Sequence, residues 1–160
     1  MKETLPTDVT RVGPTGLTLR PYAGEADLPV IVNIMNRQFE ADGVPFREDV
    51  GHIGAWYSRA SDQFDPARDV TLAEVDGVPV GYSDRSWVDT TLEPKIREYR
   101  LDGAVLPEWR RQGIGTALLR NNQERQRQLA QTHDTNLPRA FGSWTSHVAT
   151  RLTGAYWNVA

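Results

Sequence analysis

The chain of 160 residues contains no cysteine, which excludes disulfides, thiolate zinc sites, iron–sulfur clusters and a cysteine nucleophile together. Histidine is nearly as scarce. His52, His133 and His147 stand at spacings that no metal site uses, so no metal cofactor is expected. No run approaches the ~18 consecutive apolar residues of a membrane span, and the first residues lack the apolar centre of a signal peptide. A cytoplasmic protein without a membrane partner is the expectation. Nor is there a surplus of positive charge: 18 basic against 21 acidic residues leave a net charge of −3, which argues against nucleic-acid binding driven by counterion release. Internal repeats and low-complexity tracts are absent as well.

What is present suffices for one ordinary core. Apolar residues make up 39% of the chain and there are five Trp, enough to fold a single domain at roughly 150 residues per domain. Residues 1–15, with Pro6, Gly13 and Pro14, carry no helical or strand period and read as a flexible N-terminal arm. The domain is residues 16–160.

Leu17 to Arg20 alternates as a strand does, and Glu25 and Asp27 suit the positive end of a helix. Leu28, Ile31, Val32, Met35 and Phe39 then recur on one helical face until Gly43 and Pro45 stop it. A second helix is expected from about Arg47 to Arg59, with Val50, Ile53, Trp56 and Tyr57 on its inner face, and a loop over 61–68. Val70 to Val75 meets Asp76-Gly77, a two-residue hairpin signal, and Val78 to about Val88 forms the returning strand. Ile96 to Val105 is strand-like, with Tyr99, Leu101 and Val105 on one face and Glu98, Arg100 and Asp102 on the other. Gly103 interrupts it and reads as a bulge or a place of close approach. A helix opens at Gly113-Ile114-Gly115 and runs to about Gln128, its polar second half expected in solvent. Arg139 to Trp144 reads as a strand and Ser146 to Thr153 as a short helix.

The stretch from Val105 to Leu119 carries the chemistry. It joins a strand end, a basic glycine loop and a helix start, so consecutive N–H groups can converge on phosphate oxygens at the helix N-terminus, with Arg110 and Arg111 adding charge. The Gly-Lys-Ser/Thr triplet of a P-loop is missing, and Leu118 stands where a dinucleotide fingerprint needs its third glycine.

With Arg110, Gly113 and Gly115 in the defining positions of Gln/Arg-x-x-Gly-x-Gly/Ala, after Val105 and Pro107, the segment resembles the acyl-CoA-binding motif of the GCN5-related N-acetyltransferases (GNAT). The order of elements over roughly residues 16 to 130 is similar too. The resemblance implies an α/β (mixed-sheet α+β) acyl-CoA N-acyltransferase fold and acetyl-CoA as acyl donor. It implies that the backbones of Val105 and Leu106 pair with the pantetheine arm. The amides of Arg111, Gln112, Gly113, Ile114, Gly115 and Thr116 would hold the pyrophosphate. The reaction is then direct attack of a primary amine, of a small molecule or a peptide, on the thioester.

An amine of pKa ~10.4 costs about 4.6 kcal/mol to deprotonate at pH 7, so a base is required. Glu98 is the candidate general base by the resemblance, with Asp102 the alternate and a solvated pairing of Glu98 with Arg97 or Arg100 the plain reading. The family's tyrosine acid aligns with Thr153, which leaves Tyr156 as candidate general acid. Against the family pattern the chain looks short of its final strands. That suggests a shortened member, the first half of a tandem protein, or a homodimer that completes the sheet. The alternative function is a catalytically silent acyl-CoA-binding or regulatory domain.

Overall fold

The computed structural model describes residues 12–143 and the backbone of residues 157–158. Strand β1, Leu17–Pro21, leads through a 3-10 turn at Glu25–Asp27 into helix α1, Leu28–Ala41, which Gly43 ends in the left-handed region at φ 68. Helix α2, Val50–Tyr57, is shorter than its apolar spacing predicts. Asp49 caps it by accepting from the His52 N–H, and only Ile53 and Tyr57 are buried, while Val50 and Trp56 stay exposed. Within the expected loop 61–68 stands the start of a single turn, α3 (Pro66–Asp69). It is set up by the Asp65 carboxylate, which accepts from the Ala67 N–H, and by Pro66 at its first position.

Strands β2, Val70–Val75, and β3, Val78–Asp89, form the expected hairpin. Asp76 at φ 50 and Gly77 at φ 81 supply the two left-handed residues that this tight turn requires. Pro79 sits where the β2–β3 ladder shifts register, so its missing N–H interrupts no regular pairing. Strand β4 is Arg97–Val105, helix α4 is Ile114–Thr132, strand β5 is Arg139–Gly142 and strand β6 is the pair Trp157–Asn158. They build one mixed sheet in the order β1-β2-β3-β4-β5-β6, antiparallel except where β5 runs parallel to β4. The expected helix over 146–153 and Tyr156 lie outside the described residues.

Helices α1 and α2 cover one face of the sheet, where Leu28, Ile31, Ile34, Ile53 and Tyr57 pack on Val70, Leu72, Tyr82 and Ala104. Helix α4 covers the other. Its first half buries Ile114 and Leu118 against Ala73, Val75 and Val80. The second half is not left in solvent as its polarity predicts. Asn122 and Gln126 are buried at 1% exposure and donate to main-chain carbonyls of the sheet, Asn122 to Asp84 and Gln126 to Ser86 and Arg100. Their amides act as hydrogen-bonding spacers, which apolar periodicity does not register.

Strand β4 pairs with β3 residue for residue from Arg97 to Val105, so Gly103 marks no bulge against β3. Its reason is close approach: a Cβ there would collide with the Tyr82 carbonyl and Ser83 of β3.

Candidate active site at the open end of β4

Strands β4 and β5 pair only over Arg97 to Arg100. Beyond Arg100, β4 continues to Val105 with one edge unpaired among the described residues, and a cleft of about 320 Å³ lies along that edge. Asp102, Gly103 and Val105 of β4, Tyr82 of β3, Gln38 and Asp42 of α1 and Gly115 of α4 contribute to its wall. The Leu106 N–H donates to the Val80 carbonyl at 2.9 Å and the Leu106 carbonyl accepts from the Trp109 N–H at 2.9 Å. Strand alternation therefore turns the backbone groups of Val105, and of Gly103 before it, to the unpaired edge.

The loop from β4 into α4 is shaped by two left-handed residues, Arg111 at φ 64 and Gly113 at φ 86, the latter capping α4. Left-handed residues placed at the positive end of a helix are backbone whose successive N–H groups can make a concave seat for an anion. Ile114 is buried and anchors the first turn from beneath, whereas Arg111, Gln112, Gly115 and Thr116 are exposed. Arg110 does not present a free charge. Its guanidinium makes a two-pronged ion pair with Asp42 at the end of α1, at 2.7 and 3.1 Å, and Arg37 of α1 pairs with Glu108 at 2.8 Å. The segment before the sheet also reaches the loop: a Cβ on Gly113 would stand 2.9 Å from the Gly13 nitrogen.

Glu98 and Asp102 share the α1/α2 face of β4 but occupy different places. Glu98, 5% exposed, is ion-paired with Arg100 at 3.3 Å and lines a separate cavity of about 590 Å³ beneath the β3–β4 connection. Asp102, roughly 13 Å further along the strand, lines the cleft and is the register partner of Asp84 on β3. Burial raises the Asp84 carboxyl to about 7, and the negative charges of Asp102 and Asp69 push it the same way. Tyr82 also faces the cleft, and burial first, with Asp84 next, raises its phenol well above the usual value, so it holds its proton.

Sequence reading missed Asp84, Tyr82 and Asp42. Asp84 is an acid midway along an otherwise buried strand, which is a legible signal; the α1–loop ion pair has none. Trp87 shapes neither the cleft nor the Glu98 cavity, packing instead on His133 beneath Arg97. Among the described residues no three His, Asp or Glu side chains gather as a metal site would need, and no helix is long and apolar enough to cross a membrane.

A mixed sheet opened beside a glycine loop at a helix N-terminus is a geometry suited to an extended, phosphate-bearing ligand. Residues 66–144 match the model of the acetyltransferase (GNAT) domain. Among solved structures the chain is similar to a GCN5-related N-acetyltransferase from Sphaerobacter thermophilus (TM-score 0.63, 19% identity), over 81% of this chain and 38% of that one. It therefore spans well under half the length of that protein. It is also similar to a predicted acetyltransferase of Clostridium acetobutylicum solved with acetyl-CoA (TM-score 0.58, 16% identity, 83% of each chain). A third likeness is a ribosomal-protein-alanine N-acetyltransferase of Brucella melitensis (TM-score 0.54, 25% identity, 78% of this chain and 73% of that one). No curated protein matches the chain by sequence. Residues 66–144 are, by that match, an acetyltransferase (GNAT) domain.

Proposed function

We propose that the chain is a cytoplasmic acetyl-CoA-dependent N-acetyltransferase that passes the acetyl group directly to a primary amine of a small molecule or peptide. The observation that carries this reading is the cleft itself, with the unpaired Val105 edge leading from the left-handed loop to a carboxylate and a phenol. In this reading the amides of 111–116 hold the pyrophosphate and Val105 pairs with the pantetheine, while Leu106 fixes the turn. Asp102 takes the ammonium proton; Asp84, which keeps its own proton up to about pH 7, spares the cleft a second negative charge. The amine nitrogen attacks the thioester carbon, the carbon–sulfur bond breaks, the Tyr82 hydroxyl protonates the departing thiolate, and the excess proton left on nitrogen passes to the Tyr82 oxygen as the amide forms.

A second reading keeps Glu98 as the base, because it lines the larger cavity beside Arg100, where an acceptor could enter. Calorimetric titration with acetyl-CoA, followed by free-thiol release over a panel of amines, tests the proposal. Absence of acetyl-CoA binding overturns it; binding with no turnover on any amine assigns the silent acyl-CoA-binding role. Homodimerisation through the sheet edge belongs to the same proposal, and a strictly monomeric species at high concentration in solution scattering removes it.

A further inference from the structure

On the α4 face, at the opposite end of the sheet from the glycine loop, lies an open cavity of about 560 Å³ between β1, β2, α3 and the second half of α4. Four arginines line it, Arg20, Arg68, Arg85 and Arg125, against one carboxylate, Asp69. Arg20 is already engaged by Asp27 and Glu74 at 2.7–2.8 Å. Arg68 and Arg85 share Asp69, at 2.7 and 3.4 Å, and the nearby Asp62 and Asp65 act on Arg68. Arg85 is the most enclosed, its side chain 8% exposed, donating to the Arg68 carbonyl and to the Asn122 amide oxygen. Burial lowers its pKa; Asp69 opposes that, and Arg125 and Arg68 reinforce it. The Arg125 guanidinium has no hydrogen bond or ion pair among the described residues and repels Arg85 across the cavity.

Like charges gathered round a concave, partly desolvated space are unfavourable unless something negative sits between them. Planar guanidinium groups are matched to the paired oxygens of phosphates and carboxylates. Asn121 and Gln128 add uncharged polar groups to the wall. We propose that this cavity is a second binding site, distinct from the acyl-CoA cleft, for a small multivalent oxyanion held by Arg85, Arg125 and Arg68. The site does not depend on the acetyltransferase reading.

Calorimetric titration with inorganic pyrophosphate and with citrate, at fixed ionic strength, tests it. It is run on the protein alone and on protein saturated with acetyl-CoA, which occupies any pyrophosphate seat at the glycine loop. The expected result is binding of at least one probe to the saturated protein, weakened about tenfold or more by Arg125→Gln and unchanged by Arg59→Gln, an exposed arginine of neither site. Preference for pyrophosphate assigns a phosphate-bearing ligand, and preference for citrate a carboxylate one. Arg125 is exposed, so its variant folds; Arg68→Gln serves as the second variant. No binding of either probe, or affinities unmoved by both Arg125→Gln and Arg68→Gln, overturns the proposal. Should acetyl-CoA itself fail to bind, the function proposed above falls, while titration of the ligand-free variants still reads this cavity.

Discussion

At its first residues β4 is hydrogen-bonded on both edges, to β3 and to β5, and its acid Glu98 stands beside a guanidinium. At its last residues the β3 edge alone is taken among the described residues, and its acid Asp102 stands opposite another acid. The two residues are alike in chemistry and share one face of one strand. The difference in pairing sets them in different surroundings: a closed ladder with a guanidinium beside the acid at one end, and at the other an open edge where two acids face each other across the β3–β4 register. Gly142 of β5 belongs to the closed corner, because any side chain there would strike the Glu98 carboxylate.

The largest effect is expected at the open end. Gly113→Val forces a β-branched residue to φ 86 and into the Gly13 backbone, which should reshape the loop and weaken acetyl-CoA about a hundredfold or more by calorimetry. Affinity within a few-fold of wild type would show that this loop is not the anion seat. Next come the two acids. Asp102→Asn should lower kcat by about 10²–10⁴ with little change in KM for acetyl-CoA, whereas Glu98→Gln should lower kcat by less than about tenfold. The reverse result moves the base to the closed end.

Asp84 sharpens the contrast through pH. Its carboxyl is raised in the folded protein to about 7, so between about pH 4 and 7 the folded state holds a proton that the unfolded state has released. Stability due to this group is therefore lost progressively as pH rises through that window. Asp84→Asn should be the more stable protein at pH 8, by a few kcal/mol at ~1.4 kcal/mol per pKa unit. The two proteins should converge below about pH 4, as read by denaturant unfolding across the range. A difference independent of pH would mean that Asp84 is not the buried acid.

Smaller effects probe the helix that spans both ends. Gln126→Met removes the donor to the Ser86 and Arg100 carbonyls but also an amide oxygen that has no partner. The net cost should be about 1–2 kcal/mol in unfolding. Gly115→Ala should be nearly silent, within about twofold in acetyl-CoA affinity, because the new methyl would lie 3.9 Å from Val105 Cγ2 in ordinary contact. A large loss there would place the ligand closer to Gly115 than the cleft suggests.

The layout of the fold was legible where signals are local. The alternation at Leu17–Arg20, the Asp76-Gly77 turn and the apolar face of α1 each mark an element within a few residues. The glycine loop was legible for the same reason. The pairing of Asp84 with Asp102 was not, because the β3–β4 register depends on the path of residues 90–96, and no short pattern encodes that path. Gln126 and Asn122 misled because burial of an amide depends on a carbonyl waiting on another strand. Arg110 was read as a charge for the ligand, and its tie to Asp42, 68 residues earlier, is visible only once the chain is folded.

That tie bears on time as well as on affinity. Arg110 with Asp42 and Arg37 with Glu108 strap the glycine loop to α1, so the loop cannot swing outward without pulling on a helix that also walls the cleft. The straps are part-exposed ion pairs, and salt shortens the reach of such charges to ~8 Å at physiological ionic strength. In the proposed function, residence time on the loop thus becomes a quantity that simple electrolyte can set, with donor exchange quickening as the straps slacken.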